Sequence, residues 1–419
     1  RFDGTQVRGV EHPLSVSYDG GLRLLGFDLI NRPASGGALY LDLYWANANG
    51  APFRAFLRLV DEQGTPWTDW DTIVDFPGLI GPPAPVLWGD RYTSHRYRLD
   101  IPPGTPPGTY HLSVATLNPE TMGNYFVVDG TPLKAERTEA RVGEIVVRRR
   151  AVSIKEAAEL ARPGEPVQID DSVSLVRCDL SRDTAAVGET VRLTPLWYAR
   201  SRPTIRTYTL QLESLVGDYV WQKTLPLSAR YGVEAWPAGE LVRAPVEVLL
   251  PAHLPAGDYR WSMVVGQLEI PLGGLTVSTP QRQTQFPPDI VRVRQTLDGF
   301  AELVGYQVGD LRPGQPLSLT LYWRARAETT TSYKVFVHLL DAQGRPLAQS
   351  DAVPARWTRP TTGWLPPEAI ADAHTLSIPA GLAPGQYRLV AGLYDPVSGR
   401  RASTPEGVEQ VGLGEKEVP

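Results

Sequence analysis

Cysteine is nearly missing from this chain: Cys178 is the one thiol in 419 residues. A single cysteine excludes an intrachain disulfide and a cysteine metal cluster, and it fits any compartment. Lysine is scarce as well. Five of the 41 basic residues are lysine (134, 155, 223, 334 and 416) and 36 are arginine, a bias that a GC-rich genome or a hot habitat would each produce. No apolar run approaches the ~18 residues of a membrane-crossing helix. No basic, apolar, small-residue leader stands at Arg1, and the start of the chain does not say whether it is a mature product or an excised piece. Charge of one sign is lacking too. The formal net charge of -5 gives no broad field for nucleic acid. The run Arg148, Arg149 and Arg150 is the one dense basic spot, and it follows a β-like stretch as a solvated domain edge would.

Catalytic patterns are also wanting. The six histidines (12, 95, 111, 253, 338 and 374) never pair at helical metal spacing, and His338 alternates along an expected strand as an outward residue. There is no GxSxG elbow, no GxxxxGK[ST] loop and no GxGxxG after a strand, so neither a nucleophile elbow nor a phosphate cradle is indicated. Carboxylate pairs for glycosidic chemistry meet only in space, and nothing in the sequence marks one out. The chain reads as a non-enzyme that needs no cofactor.

What the chain has is repetition. Gly and Pro, 39 of each, are scattered between short apolar runs, which favours an all-β protein. The phrase LTLYWRA (319–325) alternates apolar and polar residues, and it recurs near residue 45 as LDLYWAN and near 197 as LTPLWYA. From Trp45, Trp197 and Trp323 a second tryptophan follows 43, 39 or 41 residues later, at Trp88, Trp236 or Trp364. A tyrosine follows 22, 23 or 23 residues beyond that, in PPGTYHL, PAGDYRW and PGQYRL. Phe27, Cys178 and Tyr306 precede the first tryptophan by 18, 19 and 17 residues. Four anchors in one order at near-constant spacing establish a triplication.

The period suits whole domains rather than a solenoid. About seven short strands per copy without a helical period predict three tandem immunoglobulin/fibronectin-like β-sandwich domains, with a barrel as the alternative. The modules are expected over 1–150, 166–279 and 291–419. A linker at 151–165 carries a short helix over IKEAAELA (154–161), and a proline-rich linker spans 280–290. Such links predict an elongated array. DEQG (61–64) and DAQG (341–344) read as tight hairpin turns; the second copy has Gly217 and Asp218 there, so its hairpin should differ. PxGxY reads as a turn into a late strand, similar to a tyrosine corner.

Two groups of residues are candidate sites. Asp69, Asp71 and Asp75 in WTDWDTIVDF have an interval at which loop carboxylates can collect Ca²⁺, although the spacing matches no EF-hand and Asp more commonly sits in plain solvated loops. The off-pattern tryptophans 67, 70, 221, 261 and 357 invite a carbohydrate reading, because sugar rings stack their C–H edges on exposed aromatic faces. The candidate glycan contacts are Trp67, Trp70 and Trp357, with Arg91 and Tyr92 as hydroxyl partners. Trp364 recurs and reads as core; the outward Tyr44 and Tyr322 fit either role.

The third copy, at LTLYWRA, VFVHLLDAQGRPLAQSD, GWLPPE and APGQYRLVAGLYDP, resembles the extracytoplasmic β-sandwich that follows the membrane part of some bacterial multi-pass, lipid-linked-sugar (mannosyltransferase-like) glycosyltransferases. The resemblance covers Phe300 to Gly412 well, the first copy partly and the second weakly. It implies an outside-facing location and a sugar-related setting; the membrane helices and acidic catalytic loop of those enzymes have no counterpart here. Two functions then compete. One is a non-catalytic array that faces polysaccharide or glycan, as an accessory region of an envelope glycosyltransferase or a surface protein. The other is a structural cell-surface protein that self-associates as spacer, filament or layer subunit. Neither involves nucleic acid or a membrane span within the chain.

Overall fold

A computed structural model describes residues 9–50, 52–68, 73–75 (backbone course only), 92–120, 124–131 and 138–418. The first third of the chain contributes β1 (His12–Tyr18), β2 (Leu22–Leu29), β3 (Ala38–Asn47), β4 (Arg54–Val60), β5 (Ile73–Asp75), β6 (Thr93–Asp100), β7 (Gly108–Leu117), β8 (Val127–Asp129) and β9 (Glu139–Val147). After α1 (Ile154–Ala161) come β10 (Val167–Gln168), β11 (Val173–Leu180), β12 (Thr184–Ala186), β13 (Thr190–Ala199), β14 (Thr207–Ser214) and β15 (Val220–Pro226). The second third closes with β16 (Glu240–Arg243), β17 (Val246–Leu249), β18 (Gly257–Val265) and β19 (Leu268–Ser278). The last third holds β20 (Val291–Leu297), β21 (Ala301–Val308), β22 (Pro316–Ala325), β23 (Lys334–Leu340), β24 (Pro346–Ala352), β25 (Ala369–Ser377), β26 (Gly385–Tyr394) and β27 (Val411–Val418).

Strand order identifies the architecture. In the last third one sheet runs β20-β21-β22-β25 and the other β24-β23-β26-β27. Both contribute to one core, from Leu321 and Trp323 on one side to Val335 and Leu389 on the other. Apart from the added β20, this is the strand order of a fibronectin-type sandwich. The same order recurs as β2-β3-β6 against β4-β7-β9, and as β11-β13-β16 against β15-β14-β18-β19, each pair over its own core. The protein is an all-β, immunoglobulin-like sandwich structure. Sheets that face each other in pairs, rather than closing on themselves, answer the barrel alternative.

The period-2 alternation explains the burial. Leu317, Leu319, Leu321, Trp323 and Ala325 of β22 are all buried, as a strand with one face on a core requires. Trp45, Trp197 and Trp323 lie opposite Leu24, Leu175 and Leu303, and in each case a bulge follows immediately in the partner strand. The three indoles therefore occupy one structural position, at 0–1% exposure. The tyrosine phrase is a true corner. Tyr110, Tyr259 and Tyr387 donate to the carbonyls of Pro106, Pro255 and Ala383 at 2.8, 2.8 and 2.7 Å, four residues upstream each time. The second tryptophan caps its core in the two copies where it is described: Trp236 and Trp364 donate Nε1–H to Tyr231 O and Arg359 O, both at 3.0 Å. Trp88 lies outside the described residues.

The expected tight turns are present, with Gly64 and Gly344 at φ 80° and 78° donating back to Asp61 and Asp341. The second copy closes its hairpin differently: Ser214 N–H donates to Tyr219 O, five residues on, where Asp61 and Asp341 N–H donate to Thr65 O and Arg345 O, four residues on. The helix α1 forms over the anticipated residues, and a reciprocal Ser153–Glu156 capping box starts it. β20 was not foreseen; its VRVRQTL pattern sits at a sheet edge beside β21. Nor is the array a straight rod. Arg149 reaches Glu240 and Tyr231 of the second copy, so the basic run clasps two sandwiches. Arg282 donates to Ala252 O at 2.7 Å and pairs with the buried Glu368. One cleft is lined from both the first and third copies, which corrects the expectation of an elongated array: the short links fold the copies back on one another.

Candidate binding cleft on the third sandwich

The outward face of β23 carries Lys334, Phe336 and His338, because Val335, Val337 and Leu339 point into the core. Across the register, Phe336 pairs with Asp351 and His338 with Gln349 on β24, while Lys334 pairs with Tyr394 and Phe336 with Gly392 on β26. Gly392 makes the surface possible, since a Cβ there would lie 2.5 Å from the Phe336 ring. The ring lies over the glycine and forms a floor at 1% exposure. The Arg401 guanidinium stands 4.4 Å above its centroid, a cation–π contact, with His338 beside it at 5.0 Å. These residues, with Gln349, Asp351, Trp357 and Tyr394, line a cleft of about 610 Å³ whose far wall is Asn124, Phe126 and Thr138. Burial holds the His338 imidazole below its usual pKa, Asp351 opposes that shift and Arg401 adds to it; the ring is therefore neutral near pH ~7.

Trp357 is the most exposed aromatic lining the cleft, at 61%, with Lys334 Nζ 4.7 Å from its ring centroid. Its backbone is unusual. Ala355, Arg356 and Trp357 have φ of 53°, 54° and 70°, three consecutive non-glycine residues in the left-handed region that L side chains disfavour. Trp357 N–H donates to Val353 O at 2.9 Å and Arg359 N–H to Pro354 O at 3.0 Å. The turn is anchored from beneath by Asp372, fully buried, whose Oδ1 accepts from Ala355 N–H at 2.8 Å. Its Oδ2 lies 2.9 Å from His374 Nε2, and His374 Nδ1 lies 3.0 Å from Ser350 Oγ.

This Ser–His–Asp chain was not legible in advance, although Asp372 and His374 at i and i+2 on one strand share a face. Ser350, half-buried on the edge strand β24, alternates with the cleft-facing Gln349 and Asp351 and so turns away from the cleft, toward His374 of β25.

The other candidates separate clearly. Trp67 is a correction: it is 5% exposed, donates Nε1–H to Asp61 at 3.1 Å and packs edge-on to Tyr110 at 5.8 Å. The chain folds back after β4, with Trp67 N–H on Leu59 O, so the indole fills the sandwich end and offers no face to a sugar. Trp261 is buried and Trp221 packs edge-on against it. Tyr92 is half-buried against Tyr44, 5.8 Å away, and Tyr44 O–H donates to Asp28. Tyr322 faces outward as expected but is buried under Phe286 of the linker. Trp70, Arg91, Asp69 and Asp71 lie outside the described residues. Asp75 ends β5, opposite Tyr97. Among the described residues no cluster of three or more His, Cys, Asp or Glu side chains is placed to hold a metal ion. Burial raises the Cys178 thiol to a pKa of about 12, so it is a core group rather than a reactive one.

No protein-family model matches the chain, and no curated protein matches it. Among solved structures, a marsupial T cell receptor is similar at 10% identity and a TM-score of 0.18, over 88% of this chain and 96% of that one. A red sea bream transglutaminase aligns at 10% identity and a TM-score of 0.16, over 58% of this chain and 31% of that one. Overlays at that level carry no weight for function, and the sandwich assignment rests on the strand order above. Among the described residues no helix is long and apolar enough to cross a membrane.

Proposed function

We propose that this chain is a non-catalytic, extracytoplasmic array of three tandem sandwich modules whose third copy binds glycan, as an accessory region of an envelope glycosyltransferase or of a surface protein. The observation that carries the reading is Trp357. A large aromatic is held out of the core on a strained turn, beside a cleft that mixes aromatic faces with Lys334, His338, Gln349 and Asp351. Pyranose recognition needs that combination: an apolar face for the ring's C–H edge and polar groups at its rim for hydroxyls. The resemblance of the third copy to glycosyltransferase-associated sandwiches supports the sugar setting.

The test is retardation of the full chain in gels containing soluble mannan or β-glucan, together with tryptophan fluorescence on titration. Wild type should be retarded and Trp357→Ala should not. A wild type that ignores a broad panel of soluble polysaccharides, or a Trp357→Ala variant that binds as well, sinks the proposal.

One observation favours the structural alternative. The β14–β15 hairpin tip exposes Leu215, Val216 and Val220 at 60, 92 and 50%, an apolar tip suited to self-association. Sedimentation of wild type against Val216→Asp at high concentration decides it: a monomer in both counts against the filament or layer reading.

A further inference from the structure

The chain Asp372–His374–Ser350, buried at its first two members and half-buried at the third, stands where the second copy does without polar groups. In register, Asp372 lies opposite Leu321 and His374 opposite Leu319. The same two places hold His95 and Tyr97 in the first copy, opposite Leu43 and Leu41, and Ala244 and Val246 in the second, opposite Pro195 and Leu193, so the second copy shows that an apolar filling serves there. The third copy instead puts a carboxylate and an imidazole between Ile370 and Leu376, with side chains 0% and 1% exposed. Burial of such groups is unfavourable unless each is partnered. The copy that carries the polar pair also carries the left-handed turn, and one carboxylate oxygen of Asp372 contacts that turn directly.

We infer that Asp372, oriented by His374 and Ser350, is a positioning residue that holds the Ala355–Trp357 turn in its left-handed form and so presents the Trp357 indole to ligand. The inference rests on the glycan reading for its purpose, though not for its geometry. Three successive residues in a disfavoured backbone region persist only where the surroundings over-determine them. The Ala355 N–H on Asp372 Oδ1 supplies that constraint at the first of the three. His374 Nε2 on the other oxygen fixes the carboxylate plane, and Ser350 on Nδ1 fixes the ring; a ring nitrogen's role is set by the partner of the other. Loss of the brace should lower the fraction of molecules with a competent turn, and apparent affinity falls by that fraction.

The test has a ligand-free arm and a binding arm, both on the full chain. In the first, amide exchange at Trp357 and Arg359 should accelerate about tenfold in Asp372→Ala. It should stay near wild type in Asp372→Asn, which keeps an acceptor for Ala355 N–H. Arg356→Gly in the otherwise native chain should slow exchange, because glycine adopts positive φ without steric penalty; this variant keeps the inference falsifiable if Asp372→Ala does not fold. In the second arm, retention on soluble mannan or β-glucan should weaken about tenfold in Asp372→Ala, recover when Arg356→Gly is added, and show no further loss when Asp372→Ala is combined with Trp357→Ala. Unchanged exchange in a folded Asp372→Ala, or faster exchange in Arg356→Gly, overturns the inference. So do binding losses that simply add. If exchange behaves as expected while wild type binds no glycan, the brace stands and the glycan reading falls.

Discussion

Replacing the corner tyrosines by phenylalanine, one copy at a time, tests whether the three sandwiches share one set of physical constraints. Each substitution keeps the ring and removes a single hydroxyl that donates to a carbonyl four residues upstream, at 2.7–2.8 Å. The ring positions are 5, 1 and 8% exposed for Tyr110, Tyr259 and Tyr387, so packing is preserved and the lost term is one hydrogen bond to a constrained backbone. A net loss of about 1 kcal/mol per site follows from the usual range for such bonds, with more where the carbonyl is left dry. For a sandwich of this size that is a fall of roughly 4 °C in midpoint. Overlapping transitions of the copies would blur a melting curve, so the assay is denaturant-dependent amide exchange, read separately in β7, β18 and β26. Each variant should lose stability in its own sandwich, by a similar amount in all three. A loss under about 0.3 kcal/mol in every copy would show that the corner is a geometric coincidence without energetic content. So would destabilisation spread evenly over all three sandwiches, because a local bond cannot produce it.

Three further outcomes are expected. Trp197 donates Nε1–H to Leu227 O at 2.9 Å, whereas Trp323 Nε1 finds no hydrogen-bond partner among the described residues; Trp197→Phe should therefore destabilise by about 1–2 kcal/mol more than Trp323→Phe in the same exchange assay. Gly392→Ala would place a methyl 2.5 Å from the Phe336 ring and 2.9 Å from Glu409 O, and it should destabilise by about 1–3 kcal/mol through overpacking, with weaker glycan retention as the cleft floor tilts. His338 has a folded pKa below its unfolded value, so the unfolded chain takes up the proton first as pH falls. The stability tied to a neutral His338 is intact above about pH 6.5 and lost below it, and His338→Gln should flatten the acid limb of a urea-midpoint profile between about pH 4 and 7.

The parts of this structure that were legible in the sequence are those in which one residue type answers one local demand. A period of two with tryptophan at a fixed place yields a strand whose indole must be buried, and Trp45, Trp197 and Trp323 comply. Asp and Gly three apart between strands yield a tight turn, and Gly64 and Gly344 adopt the positive φ it needs. What was not legible depends on which neighbour covers a residue. Trp67 and Trp357 are both tryptophans in loops off the repeat pattern. One is folded under by a backbone bond to Leu59, the other is pushed out by a turn held from another strand. Tyr322 points away from the core as its parity dictates, yet Phe286, some thirty-six residues upstream, buries it. Parity assigns a face; only tertiary packing says whether that face is wet.

The same distinction bears on where function sits in a triplicated chain. The anchors that recur in all three copies are buried or bonded to backbone where they are described, so the repeat itself encodes stability. Binding should be sought where one copy departs from the others at a stability cost. The third copy does so twice in contact: a left-handed run of three non-glycine residues, and a buried carboxylate–imidazole pair where the second copy has Ala244 and Val246. Grafting Ala and Val onto positions 372 and 374 makes this a measurable statement. If the polar pair exists for the turn, the double variant should gain or hold global stability, since a well-packed apolar filling often matches or exceeds a buried polar pair, while exchange at Trp357 accelerates and glycan retention falls. A double variant that instead loses several kcal/mol and keeps Trp357 protected would place the pair among the requirements of the sandwich, and the site with it would have to be sought elsewhere on the chain.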